Sequence, residues 1–230
     1  MVSLAQGERA RLSRLLAAAG PEGPTLCEGW VARDLAAHLV VREGRPDAAA
    51  GIRVGALAGW TERVQGKVAG RGYEALVKSF RSGPPAWSPF NLPGVDGAAN
   101  LVEFFVHAED VRRAVPFEPE LPSPELAEAL WKRVPAVARF GDARAPLSLR
   151  LVRPDGREVS VRRKGTPVVT VRGEPGELVL FLYGRGARAA VVAEGEPEAV
   201  ETLAHVLPLP EPSTEPGAEP GAEPGAEPVA

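Results

Sequence analysis

The chain has 230 residues, 44% hydrophobic and 25% charged, with a formal net charge of −3, an ordinary globular composition with length for one large or two small cores. Nothing in it makes the basic footprint of a nucleic-acid binder, and no apolar run nears the roughly 20 residues that span a membrane. The single cysteine, Cys27, fits a reducing compartment and excludes both an internal disulfide and an all-thiolate zinc site.

Residues 3–19 predict an amphipathic helix, with Ser3 and Gln6 as a capping box and Leu4, Leu12, Leu15 and Leu16 as its apolar set. This N-terminus lacks the continuous apolar core of a signal peptide, so a cytoplasmic address is expected. Gly20-Pro21 ends the helix, and a loop through Pro24 and Cys27-Glu-Gly-Trp30 leads to a second helix over 31–43, closed by Gly44 and Pro46. A long connection to Gly59 precedes a third helix, capped by Thr61 and reaching Arg81. Its interior Gly66, Gly70 and Gly72 each cost about 1 kcal/mol against alanine. After a loop with Gly83-Pro-Pro85 and Pro89 to Gly94, a fourth helix is expected over 97–114, before Pro116. Ser123 and Pro124 start a fifth, which Pro135 kinks or ends. These elements predict an all-α four-helix bundle within residues 1–142.

The period then changes from 3.6 to 2. Leu147, Leu149 and Leu151 alternate, Pro154-Asp-Gly156 is a turn, and Val159 and Val161 alternate again. A strand over Val168 to Val171, a helix over Glu174 to Tyr183, a strand over Arg188 to Ala193 and a helix over Pro197 to Leu207 complete a small α+β domain, residues 143–209. Residues 210–230 hold three copies of Glu-Pro-Gly-Ala and five glutamates without a base. Their apolar surface is too small to offset ordering entropy, and disorder is expected. Without those glutamates the 27 basic residues nearly balance the acidic ones. Arginine far outnumbers lysine, as in a GC-rich, actinobacterial genome.

Two of the three histidines lie inside apolar helical stretches. Glu103 and His107 are four residues apart and stack on one helix face. With His38 from another helix they form a set of two imidazoles and one carboxylate, suited to a divalent ion with an open position. The spacing equally describes a surface pair beside a buried, satisfied histidine. Two features weigh against that: Glu103 is flanked by Leu101, Val102, Phe104 and Phe105, and its face continues through Asn100, His107 and Asp110. Asp34 and Asp110 each lie one turn from a histidine and could accept its second ring N–H, with Asn100 alongside. Zinc suits this set best, and non-haem iron uses the same one. His205 lies far from these motifs, as a structural or surface residue.

Thr25-Leu-Cys-Glu-Gly-Trp-Val-Ala-Arg-Asp-Leu-Ala-Ala-His38 resembles the N-terminal signature of the DinB-like, mycothiol-dependent maleylpyruvate isomerase superfamily. Glu103-Phe-Phe-Val-His107-Ala-Glu-Asp-Val-Arg-Arg113 is similar to its actinobacterial metal-binding members. The resemblance spans about residues 3–207. It implies a bundle holding a divalent ion, often zinc, on His38, Glu103 and His107, followed by a sterol-carrier-like α+β domain. It places the family's Gly-Arg on Gly184-Arg185, where the guanidinium either pairs with a substrate carboxylate or faces solvent as a helix C-terminal cation. Two departures are Val31, where relatives carry a Ser or Thr cap, and Ala108, where close relatives often have a second histidine. The resemblance further implies that mycothiol, activated at the metal, reacts with a small electrophile in an isomerase or S-transferase. The alternatives are a non-catalytic metal-binding or sensor domain and a metal-dependent hydrolase. The expected partners are a small thiol and an electrophilic substrate, with neither nucleic acid nor membrane, and the expected state is a monomer or homodimer.

Overall fold

The computed structural model describes residues 3–45, 58–88, 95–117, 120–140 and 147–210. Helix α1, Leu4–Ala19, begins on the Ser3–Gln6 capping box, with Gln6 N–H on Ser3 Oγ at 3.2 Å and Ser3 N–H on Gln6 Oε1 at 3.1 Å. It ends at Gly20, whose φ of 72° is open chiefly to glycine. Helix α2 is Ala32–Gly44. The expected third helix is two, α3 (Ala58–Ala69) and α4 (Tyr73–Ser82), because the chain breaks at Gly70–Gly72 and Gly72 takes a φ of +87°. Helix α5 is Val95–Arg112. Pro135 acts as expected: α6 (Pro124–Trp131) stops short of it and α7 (Val134–Phe140) takes it into its first turn. The expected tail disorder, the connection after Pro46 and the loop from Pro89 to Gly94 concern residues outside the described ones.

The C-terminal part is a four-stranded mixed sheet with helices on one face. Its strands are β1 (Ser148–Val152), β2 (Glu158–Val161), β3 (Val168–Gly173) and β4 (Val191–Glu194), in the order β2-β1-β3-β4. The outer pairs are antiparallel and the central β1–β3 pair is parallel, with Leu149 opposite Val169 and Leu151 opposite Val171. These four apolar side chains are buried on one face, while Arg150 and Arg172 point outward. Helix α8 (Pro175–Leu180) runs on into a wider turn over Phe181–Arg185, and α9 (Pro197–Val206) closes the domain.

Two apolar cores meet along α5. Phe104, Ala108 and Val111 join Leu12, Leu16, Leu35, Leu39, Leu76 and Phe80 in a core among α1 to α5. Leu101, Val102, Phe105 and Val106 join the sheet, α8 and α9 on the other side. Leu126, Leu130, Trp131 and Val134 belong to that second core, so α6 and α7 complete the α+β layer rather than the bundle. At about 1.5–3 kcal/mol per buried large apolar side chain, each core holds α5 firmly. Gly176 permits the close approach of α8, since a Cβ there would sit 2.9 Å from the Phe105 ring. Among the described residues no helix is long and apolar enough to cross a membrane.

Candidate metal centre

Helices α2 and α5 bring His38, Glu103 and His107 together. Ala36, Ala37 and Leu39 anchor α2 in the bundle core and Phe104 and Ala108 anchor α5, which aims the polar residues between them inward. His38 is buried, and the side chains of His107 and Glu103 keep 12% and 18% exposure. Glu103 Oε1 lies 3.3 Å from His107 Nε2 and 3.5 Å from His38 Nε2. The rings of His38 and His107 meet edge to face with centroids 5.5 Å apart, and the Trp30 ring lies tilted against His38 at 5.1 Å.

Those separations test whether an ion fits. Ligand bonds of 2.0–2.1 Å around a tetrahedral zinc put donor atoms about 3.3 Å apart, whereas direct N–H···O hydrogen bonds cluster near 2.9 Å. One donor atom from each residue lies within 4.8 Å of the other two. Two imidazole nitrogens and a carboxylate oxygen at this spacing fit a divalent ion.

The protonation states agree in part. Burial pushes the His38 pKa down, against its hydrogen bond with Glu103, and leaves a neutral ring. Burial works to raise the Glu103 pKa, but hydrogen bonds to His107 and His38 and the charge of Arg42 hold it well below the usual carboxylate range. Arg42 Nε lies 3.3 Å from Glu103 Oε1. For His107 burial is opposed by hydrogen bonds to Asp110, Cys27 and Glu103, which raise its pKa well above the ordinary histidine value. An ion on Nε2 would therefore displace a proton.

A second cluster lies on the other nitrogen of the same ring. Asp110 Oδ2 is 2.9 Å from His107 Nδ1 and accepts from the Cys27 thiol at 3.1 Å. Arg185 donates from Nε to Asp110 Oδ1 at 2.8 Å and from Nη2 to Oδ2 at 2.9 Å, and reaches Cys27 Sγ at 3.5 Å. Burial alone would raise the Asp110 pKa, yet His107 and Arg185 lower it to about 2. Cys27, His107 and Asp110 also converge closely enough to hold a cation, but Arg185 already donates to both oxygens of Asp110. Nor is this a nucleophile–base–acid triad, because Cys27 and Asp110 share one ring nitrogen instead of taking one each.

Not every expected neighbour is where the spacing put it. Asp110 sits behind His107. Asp34 instead caps α2, accepting the Val31 N–H at 3.1 Å; with valine at the cap position, this carboxylate is the side-chain acceptor at that helix start. Asn100 is buried but turned to Arg42 and to Glu43 Oε1, the latter at 3.3 Å. Arg185 is folded against α5 with its guanidinium on Asp110 and 22% of its side chain exposed. His205 is exposed and bonds the backbone of its own helix. The sequence reading missed Cys27 and Arg42. Both stand in or beside the quoted motif, but no spacing rule ties a loop residue or a residue of α2 to α5. A cavity of about 380 Å³ opens on the far face of α5, lined by Glu8, Arg11, Glu109 and Arg113 among others, and does not include the histidines.

No protein-family model matches the chain, and no curated protein matches it. The crystal structure of the mycothiol-dependent maleylpyruvate isomerase does, with a TM-score of 0.55 at 18% identity over 84% of this chain and 91% of that one. A histidine-to-alanine mutant of that enzyme aligns over the same shares at the same identity, with a TM-score of 0.52. The chain shares the fold of these proteins: a helical domain followed by a small α+β domain.

Proposed function

We propose that the chain holds a divalent ion, zinc first, on His38, Glu103 and His107, and acts as a thiol-dependent isomerase or S-transferase with mycothiol as the thiol. The observation that carries this is the convergence of two imidazole nitrogens and a carboxylate oxygen within 4.8 Å of one another, a separation one divalent ion can bridge. The shared fold supplies the chemistry to test, since the neighbour it belongs to is a mycothiol-dependent maleylpyruvate isomerase.

A divalent ion in that set supplies Lewis acidity, under which a low-molecular-weight thiol becomes a thiolate at neutral pH. The protein's own groups prepare the place. Asp110 holds the Nδ1 side of His107 and turns Nε2 toward Glu103. His107 and His38, with Arg42 beside them, hold Glu103 ionised, and the Trp30 ring lies against His38. A thiolate sulfur adds to one carbon of an electron-poor double bond, the former double bond rotates, and elimination of the same thiolate restores it in the trans form. In an S-transferase the new C–S bond persists instead.

The test is consumption of maleylpyruvate or monochlorobimane by zinc-loaded protein with and without mycothiol. Turnover is expected only with the thiol, and a rate no higher than that of His38→Ala refutes the enzymatic proposal. Turnover without thiol points to a hydrolase. The low exposure of the set favours one second reading, an ion that only ties α2 to α5. That reading gains if zinc raises the melting temperature while no thiol binds.

A further inference from the structure

Asp110 is held by three separate segments of the chain. It is fully buried. Its carboxylate accepts from Cys27 in the loop before α2, lies against His107 on its own helix, and takes two donors of Arg185 from the C-terminal domain. Its backbone carbonyl accepts the Leu26 N–H at 3.0 Å. The remaining arm of Arg185, Nη1, donates to Tyr183 O at 2.7 Å. The guanidinium is thus engaged along its whole fork by the protein itself. Gly184, with φ +77° and ψ 13°, turns the chain back toward α5 just before it.

We propose that Arg185 is a positioning residue of the ion site rather than a substrate-binding one. By bracing both oxygens of Asp110 it fixes the His107 ring with Nε2 toward Glu103 and His38. Ion affinity therefore depends on the docked C-terminal domain. The inference rests on the ion set proposed above. A carboxylate behind a ligand histidine sets the ring's orientation and its basicity, and loss of such a partner typically lowers ion affinity 10–100-fold. A carboxylate can turn about its own side-chain bonds, and a planar fork on both oxygens prevents that, whereas an ammonium is a single point charge.

Docking of the domain does not hang on Arg185. The Gly176–Phe105 contact and the Arg113–Glu177 ion pair, at 2.6 Å, join it to α5 elsewhere. An Arg185→Met variant should therefore fold. The experiment is a competition titration of zinc against a chelator on full-length wild type, Arg185→Met and Arg185→Lys, with the urea-unfolding midpoint of each ion-free protein. The expected result is one ion per chain in all three, affinity 10–100-fold weaker in Arg185→Met, and an intermediate loss in Arg185→Lys. Wild-type affinity in Arg185→Met overturns the inference while leaving the ion site standing, and does so most clearly if the KM for the electrophile rises instead. Failure of the ion-site reading shows earlier and differently, as a wild-type protein that takes up no zinc, and it overturns both.

Discussion

Helix α5 carries two charged clusters on opposite faces, and they are built to different specifications. On the far face Glu109 accepts from Arg11, Arg112 and Arg113 at 2.5–2.6 Å. Arg113 continues to both oxygens of Glu177, at 2.6 and 2.8 Å, and to the Arg188 carbonyl at 2.6 Å. On the site face Glu103 Oε1 has three neighbours, His38, His107 and Arg42, at 3.3–3.5 Å. The Asp110 contacts two turns along α5 are again short, between 2.8 and 3.1 Å. Polar groups that need only each other close to contact distance. The wider spacing around Glu103 is the one the proposed ion would use.

The largest expected effect removes the closed cluster. Glu109→Ala removes the carboxylate shared by three arginines, leaving Arg113 on Glu177 and Arg11 on Glu8, and breaking a buried charge pair this way costs about 3–5 kcal/mol. Urea unfolding should show that loss with or without zinc; a change below about 1 kcal/mol would mean the cluster is not a closed network. The same group sets an acid limit. Burial alone would raise the Glu109 pKa, but hydrogen bonds from Arg112, Arg11 and Arg113 lower it from 4.5 to about 2. A depressed carboxylate gives stability that is fully present above its unfolded pKa and is lost as pH falls through the folded one. The stability difference between wild type and Glu109→Gln should hold from pH 7 to 5 and shrink toward pH 2. A difference unchanged at pH 2 contradicts the assignment.

The open cluster should respond to the ion instead. Zinc at 100 times its Kd adds about 2.7 kcal/mol to wild-type stability by mass action. Glu103→Gln should lose that increment while Glu109→Gln keeps it. An increment surviving in Glu103→Gln would place the ion elsewhere. The smallest effect serves as a control. Val31→Thr restores a side-chain acceptor at the start of α2 and should gain about 1 kcal/mol. It should leave zinc affinity unchanged; a shift in affinity would tie the cap to the site.

The open cluster was more legible in the sequence than the closed one. Glu103 and His107 share a helix, so their i,i+4 spacing already placed them side by side, and His38 stood out as one of three histidines. The helix starts at Ser3 and Ser123 and the change of period near residue 147 were local signals too, and the structure follows them. What the sequence hid is non-local or conformational. Arg11 and Glu109 meet across 98 residues, and Arg185 and Asp110 across 75. Helical periodicity runs through Gly70–Gly72, where a positive φ breaks the helix. Asp34 lies one turn from His38, but spacing could not show that the bare N–H of Val31 would claim it.

An ion held by His38, Glu103 and His107 is tested most directly by a zinc titration of ion-stripped protein followed by elemental analysis. One zinc per chain is predicted for the wild type, and none for His38→Ala or His107→Ala once weakly held metal is washed away. A wild-type protein without zinc, or a His38→Ala variant that retains the full equivalent, would contradict it.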